Sequence, residues 1–292
     1  MILENEYNLE NLLVPVRHPD DVNRVTELAS LLLDRGRITF LTVVEKGSFP
    51  SSQKNWRISS DAIERHSRKF KNRWVEIVPR IRYSDSVWEG VLEQAEIDDS
   101  DLILIGWGGK ITFRSLRQTP MERIFANSDR DVIAFKSRID SVRNIKRILI
   151  PVGYKGYDYT KRLSVTAKII KETGAECVLT HVNQEEESEE EAEEILQSSK
   201  ELMRNMGVNS ETKILRNEDI SEALIEESSD YDLIVLGPTN EYVFSRYLFG
   251  WMTDEIVNNV ECSALVFKEG ERKWKAWLKG VVDRVKSELS FR

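Results

Sequence analysis

Short runs of Val, Ile and Leu alternate along this chain with longer segments in which apolar residues recur with helical spacing. Such an alternation is typical of βαβ units around a parallel sheet that is buried on both faces. It predicts strands near 12–16, 38–44, 75–82, 102–106 and 131–136, and again near 147–152, 176–182, 211–215, 233–237 and 264–268. It predicts helices near 20–35, 56–72, 86–97 and 120–127, and again near 157–173, 186–206, 219–229 and 247–259.

The second half of the chain repeats the first. Three pairs of segments recur in the same order: NLLVPV with RILIPV, SDLILIG with YDLIVLG, and DVIAFK with SALVFK. We therefore predict an α/β protein with two tandem doubly wound domains, each built on a five-stranded parallel sheet. The predicted domains are residues 1–140 and 141–269, followed by a C-terminal segment, 270–292.

The C-terminal segment has apolar residues at helical spacing, which predicts an amphipathic helix. These residues are Trp274, Trp277, Leu278, Val281, Val285 and Leu289. The polar face is basic and carries Arg272, Lys273, Lys275, Lys279, Arg284 and Lys286. Packing on its own domain, docking to a partner and contact with a membrane surface are three open interpretations of this helix.

Composition indicates a soluble globular protein, with 292 residues, 40% hydrophobic and 32% charged. The net charge of −8 argues against a dedicated nucleic-acid binder, which needs a basic surface. Eight of the ten residues in 185–194 are Glu, and we interpret this run as a solvated helix face. The sequence has no long apolar run, no signal peptide and only two cysteines, Cys177 and Cys262, which favours a reducing cytoplasm.

Candidate ligand-binding residues follow the first and fourth strands, because ligands of open α/β sheets bind beyond the carboxyl ends of the strands where the strand order reverses. The fourth strand ends in the glycine-rich sequence GWGGK, at Gly106 to Lys110, where backbone amides could approach a phosphate. This turn matches neither a Walker loop nor a dinucleotide fingerprint.

The two five-stranded halves, the V-P-V start and the glycine turn resemble the universal stress protein family in tandem, over residues 11–136 and 147–268. The resemblance implies an adenine nucleotide alpha hydrolase-like fold with strand order 3-2-1-4-5. It also implies an intramolecular pseudo-dimer, and the fifth strands are expected to abut, which would cover two exposed sheet edges. A homodimer of the whole chain is a further open expectation.

Nucleotide-binding members of that family carry an Asp after strand 1 and a G-x2-G-x9-G-[ST] signature. The first half keeps Gly106 and Gly109, but has Arg17 at the Asp position and Thr119-Pro120 in place of G-[ST]. The second half keeps Gly237 and Gly250, but has Gly153, Asn240 and Trp251 at the other positions. The resemblance thus implies the following candidate residues for ATP or AMP: Pro15, Val16, Arg17, Val43, Gly106, Gly109, Lys110, Arg114, Thr119, Gly153, Gly237, Asn240 and Gly250.

Charge favours the first half as the ligand-bearing one. Arg17, Lys110, Arg114 and Arg117 are expected to converge on one rim, where they could hold an anion. The same cations could equally be solvated or paired with the acidic second half. We expect no catalytic residues and no metal site, since His18 lacks a nucleophilic partner and no metal-ligand spacing occurs.

A second resemblance concerns context. The segments VPVRHPDDVNRVTELASLL, LIGWGGK and RILIPVG are similar to the cytosolic stress-protein-type regions of prokaryotic amino-acid permeases and cation antiporters. This implies a non-catalytic regulatory module, located in the cytoplasm at the inner face of the membrane, with a transporter as its partner. Two rivals stay open: a free-standing cytoplasmic ATP- or AMP-binding stress protein and a weak nucleotide hydrolase.

Overall fold

The computed structural model describes residues 7–16, 19–46, 64, 74–107, 119–153, 158–184, 188–237 and 251–270. The strands are β1 (Asn11–Pro15), β2 (Arg35–Glu45), β3 (Trp74–Ser84), β4 (Leu102–Gly106), β5 (Asp131–Lys136), β6 (Arg147–Pro151), β7 (Glu176–Asn183), β8 (Glu211–Arg216), β9 (Leu233–Leu236) and β10 (Ser263–Lys268). The helices are α1 (Pro19–Leu32), α2 (Val87–Ile97), α3 (Pro120–Asn127), α4 (Thr160–Thr173), α5 (Glu189–Asn205), α6 (Ile220–Glu227) and α7 (Trp251–Asn259), with single 3-10 turns at Val142–Asn144 and Ser228–Asp230.

All ten strands form one continuous sheet in the order β3-β2-β1-β4-β5-β10-β9-β6-β7-β8. Each half has the expected order 3-2-1-4-5, and all pairs within a half are parallel. The halves meet where β5 pairs antiparallel with β10, from Ala264 opposite Lys136 to Lys268 opposite Val132. The predicted α/β fold is confirmed, and the two predicted sheets are continuous because the fifth strands satisfy each other's edges.

Helices cover both faces of the sheet. One face packs its buried residues against α1, α4 and α5, for example at Leu28, Leu163 and Ile195. The other face packs against α2, α3, α6 and α7, for example at Val91 and Leu224. Every residue of β5 and β10 is buried, because these strands have neighbours on both sides and helices on both faces. The core therefore runs unbroken through the junction.

The first helix ends earlier than the sequence pattern predicts. It ends at Leu32, not near residue 35, because β2 already begins at Arg35. Gly36 makes this early turn possible: its φ is 116°, and a Cβ there would collide with the backbone of Glu10. The predicted helix near 56–72 and the predicted C-terminal helix lie outside the described residues.

Candidate functional site

The strand order reverses twice in this sheet, once in each half. In the first half β1 lies between β2 and β4, and in the second half β6 lies between β7 and β9. The carboxyl ends of β1 and β4, and those of β6 and β9, therefore form the two crevices in which such folds bind ligands. The structure brings Pro15, Val16, Val43 and Gly106 to the first crevice rim, and Gly153 and Gly237 to the second.

Backbone hydrogen bonds join the strand ends at the first crevice, and a buried indole follows β4. The Val16 N–H donates to the Leu41 carbonyl at 2.8 Å, and the Trp107 N–H donates to the Phe135 carbonyl at 2.8 Å. The Trp107 side chain is only 9% exposed, with the Lys136 ammonium 5.4 Å from its ring centroid. Trp107 therefore packs beside β5 as part of the apolar cluster that includes Phe125 of α3.

The N-terminus of α3 already holds a negative charge. Thr119 forms a capping box: its Oγ1 accepts the N–H of Glu122 at 3.3 Å, and the Glu122 carboxylate accepts the N–H of Thr119 at 2.6 Å. Pro120 supplies no N–H in this first turn. A phosphate at this helix end would compete with the Glu122 carboxylate for the same donors.

Several predicted site residues lie outside the described residues. They are Arg17, Gly109, Lys110, Arg114 and Arg117 in the first half, and Asn240 and Gly250 in the second. The convergence of the four cations of the first half remains a prediction. His18 also lies outside the described residues.

The second crevice is filled by the protein's own side chains. Arg162, near the start of α4, is 7% exposed and donates from Nη2 to the Pro151 carbonyl at 3.0 Å. Its guanidinium carbon lies 4.8 Å from the ring centroid of Tyr159. The Tyr159 hydroxyl in turn accepts the N–H of Gly153 at 3.0 Å. Arg162 and Tyr159 together form a plug across the end of β6.

Gly237 is the position that lets this plug close. A Cβ at Gly237 would lie 2.9 Å from Arg162 Nη1, so the guanidinium packs against the bare backbone of the glycine. The Gly237 carbonyl also accepts a hydrogen bond from Thr253 Oγ1 at 3.1 Å. Gly237, which the resemblance implies as a nucleotide-binding residue, lies against the Arg162 guanidinium in this structure, and its role toward a nucleotide remains a prediction. Sequence reasoning missed Arg162 and Tyr159, since helical spacing alone does not tell which way a helix-start side chain turns.

A charged cluster lies where the two halves and the N-terminal segment meet. The buried Asp131 carboxylate accepts hydrogen bonds from Lys161 Nζ at 3.0 Å and from the Gly270 N–H at 2.6 Å. Burial, the largest effect, raises the pKa of the Tyr7 hydroxyl, and nearby Asp131 adds to that shift. Burial likewise raises the pKa of Glu269, while the Lys161 ammonium opposes the shift. These contacts tie the chain's first described residue to its last.

The described part of the chain shows neither a metal-binding cluster nor a membrane-spanning helix. No group of three His, Cys, Asp or Glu side chains there is arranged to hold a metal ion. No helix among the described residues is long and apolar enough to cross a membrane.

Comparison with known sequences identifies related proteins. Residues 144–268 match the universal stress protein family. The Na(+)/H(+) antiporter NhaS5 of Synechocystis is 20% identical over 265 residues, which cover 88% of this chain and 38% of the antiporter. Universal stress protein MJ0531 of Methanocaldococcus jannaschii is 29% identical over 85 residues, which cover 29% of this chain and 50% of that protein. The chain thus spans half or less of these relatives.

Comparison with solved structures gives the same fold. A universal stress protein from Archaeoglobus fulgidus superposes with a TM-score of 0.62 at 17% identity, covering 91% of this chain and 98% of that one. The cytoplasmic domain of a prokaryotic cation chloride cotransporter superposes with a TM-score of 0.61 at 14% identity, covering 90% of this chain and 97% of that one. Both similarities extend through the two halves of the chain.

Proposed function

From the premise that this chain is a tandem of universal stress protein-like folds, related in sequence to a transporter, we propose that it is the cytoplasmic regulatory region or partner of a membrane cation transporter. The observation that carries the proposal is the similarity to NhaS5 over 88% of this chain, because it includes both halves. A similarity confined to one half would indicate only a shared domain. The amino-acid permeases suggested by the sequence remain a second class of partner.

The continuous sheet suggests how such a module would work. The two halves share one core and one β5·β10 pairing, so a ligand or partner bound to one half would also act on the packing of the other. We propose that the module binds a ligand or partner and transmits the effect of binding from one half to the other. We further propose that it has no catalytic activity. Thr119 and Glu122 at the first crevice, and Arg162 at the second, are engaged in structural contacts.

The ligand of this module is proposed to be an adenine nucleotide or another anion, held in the first half alone. The first crevice has a predicted cationic rim, whereas Arg162 and Tyr159 occupy the end of β6 in the second. A single ligand per chain follows from this difference. The Glu122 carboxylate at α3 disfavours phosphate at that helix end, so a nucleotide would rely on the predicted cations of the rim.

The transport role is tested in everted membrane vesicles prepared from source cells with and without this chain. Na⁺-driven proton movement is followed with acridine orange, and K⁺ replaces Na⁺ in a parallel measurement. We expect the Na⁺ response to change when the chain is absent and to return when it is expressed again. Unchanged responses to both cations would refute the cation-transporter role and favour a free-standing stress protein.

The ligand is tested separately by calorimetric titration of the intact chain with ATP and with AMP. Gly109→Val is the first-half variant, and Asn240→Val, at the matching position of the second half, is its control. One bound nucleotide per chain that only Gly109→Val abolishes supports the proposal. Binding that Asn240→Val abolishes instead would refute the assignment to the first half, and phosphate release from ATP would identify a hydrolase.

A further inference from the structure

An open groove runs along the outer edge of the second half, between α5 and β8. Its volume is about 710 Å³, and it has Leu196 and Ile214 among its lining residues. Glu190, Glu193 and Glu194 line the helix side of the groove. We call this feature the acidic groove. It lies at the predicted acidic run, which the structure places partly in the first turns of α5.

The acidic groove lies beside the N-terminal end of α5, at the edge of the sheet. The first turn of α5 contains Glu189, Glu190 and Glu191, and the helix dipole favours negative charge there. An ion pair between Glu189 and Arg216 joins the start of α5 to the end of β8. β8 is also the last strand of the sheet, with β7 as its single neighbour among the described strands. The groove therefore offers charge and an apolar floor to a basic, partly apolar segment.

The C-terminal segment of the same chain is basic and partly apolar. Residues 271–292 contain seven basic and three acidic side chains, whereas the protein as a whole has a net charge of −8. Trp274, Trp277, Leu278 and Val281 recur at helical spacing among these cations. The segment would place indole and aliphatic groups on an apolar floor and lysines beside carboxylates.

Residues 271–292 start at the edge of the sheet where α5 begins, and the segment is long enough to reach the acidic groove. Strands β10, β9, β6, β7 and β8 are all parallel, so Gly270 after β10 leaves the sheet at the same edge at which α5 begins. Four strand spacings, about 19 Å, separate β10 from β8. The 22 residues of 271–292 span about 33 Å as a helix.

The last described residue, Gly270, is held near the helix layer that includes α5. Gly270 is held by Asp131, which is paired with Lys161 on α4. α4 packs against α5 on the same face of the sheet. We infer that the basic segment 271–292 docks in the acidic groove of its own chain. The docked segment lies across the second half, and its release would expose a basic amphipathic surface.

The test compares hydrogen exchange of residues 271–292 in the full chain and in variants. Glu190→Lys/Glu193→Lys reverses the groove, and Glu96→Lys/Glu261→Lys makes the same change in net charge at exposed sites elsewhere. At low salt we expect exchange of the segment to be about tenfold faster in the groove variant than in the wild type, equivalent to about 1.4 kcal/mol of docking. The control variant is expected to exchange like the wild type.

Two further measurements make the result decisive. Adding Lys275→Glu/Lys279→Glu to the groove variant should restore slow exchange, and a zero-length carbodiimide cross-link should join the segment's lysines to Glu190 or Glu193 in the wild type. Exchange that is equally fast in all variants, with protection gained only on vesicles of anionic lipid, would overturn the proposal and assign the segment to a membrane surface. Slow exchange that the groove variant leaves unchanged would also overturn it.

Discussion

Lys136 and Lys268 occupy equivalent positions at the ends of β5 and β10, and each side chain crosses into the opposite half. Lys136 Nζ donates to the Val257 carbonyl of α7 at 2.8 Å. Lys268 Nζ donates to the Phe125 carbonyl of α3 at 2.6 Å and to the Ser128 carbonyl at 3.0 Å. Both ammonium groups thus bind carbonyls at the C-terminal end of a helix, where the helix dipole favours a cation. These two lysine contacts link the halves in addition to the pairing of β5 with β10.

The first prediction concerns these two lysine contacts between the halves. Lys268→Met should lower the free energy of unfolding by about 1–3 kcal/mol for each carbonyl that is left buried without a donor, and Lys136→Met should cost less because it affects one carbonyl. Methionine keeps the apolar stem, so packing is largely retained. Urea denaturation measures both. The exposed Lys171→Met is the control, and losses no larger than its loss would mean that water replaces the ammonium groups.

A second symmetric pair explains part of the internal repeat. Asp101 and Asp232 are the aspartates of SDLILIG and YDLIVLG. Asp101 Oδ2 accepts the N–H groups of Glu10 and Asn11, at 2.9 and 2.8 Å. Asp232 Oδ2 accepts the N–H groups of Lys146 and Arg147, at 2.8 and 3.0 Å. In each half one carboxylate oxygen fixes the start of the first strand beside the fourth.

The second prediction follows from these double hydrogen bonds. Asp232→Ala should lower the free energy of unfolding by about 2–3 kcal/mol, because two backbone N–H groups lose a charged acceptor. Asp101→Ala should have a similar effect in the first half. Asp140→Ala removes an exposed carboxylate and should change stability little. Equal stability of Asp232→Ala and Asp140→Ala in urea would show that the carboxylate is dispensable for the start of β6.

The sequence pattern was sufficient to predict most of the fold, because its two signals, the apolar strands and the internal repeat, both have a physical cause. Strands such as LILIG are apolar throughout since the sheet is covered on both faces, and the repeat gives the same order in each half. The two sheets are continuous because β5 and β10 cover each other's edges. Predicting this requires knowing first that both are edge strands. The end of α1 was less predictable, because it depends on the contact between Gly36 and Glu10, which are distant in sequence.

The candidate site was harder to predict than the fold. One missed feature had a sequence signal: Thr119-Pro120-Met121-Glu122 carries Thr and Glu at capping-box spacing with Pro at the first helical position, which is typical of a helix start. The Arg162 plug had no such signal. The direction of the Arg162 side chain depends on where α4 begins relative to Gly237. That position is determined by tertiary packing.

The third prediction tests that plug. In the wild type, Gly237→Ala should destabilise the protein, because the new Cβ would come within 2.9 Å of a guanidinium held by the Pro151 carbonyl. In an Arg162→Ala background the same change should cost much less. The double-mutant cycle should give a coupling energy of about 1 kcal/mol or more, measured by urea denaturation. Additive losses would mean that Gly237 is required for its backbone alone.

A fourth prediction uses the two thiols. Cys177 and Cys262 are both free and buried. Cys177 lies in β7 and Cys262 precedes β10, and β6 and β9 separate these strands, so about 14 Å lies between them, too far for a disulfide. Burial raises the pKa of Cys177 to about 12 and that of Cys262 to about 11. Neither thiol should then be nucleophilic near neutral pH.

Reaction with Ellman's reagent at pH 8 measures this directly. The native protein should react much more slowly than the urea-unfolded chain, because thiolate is scarce in the buried thiols and ordinary in the unfolded ones. Cys177→Ser and Cys262→Ser assign the residual rate to one residue. Since the native pKa values lie above the unfolded value of 9.0, raising the pH past 9 ionises the unfolded chain first, and stability should fall toward pH 11. Native thiols that react as fast as unfolded ones would mean that the strands carrying them open locally, which the fully buried β10 argues against.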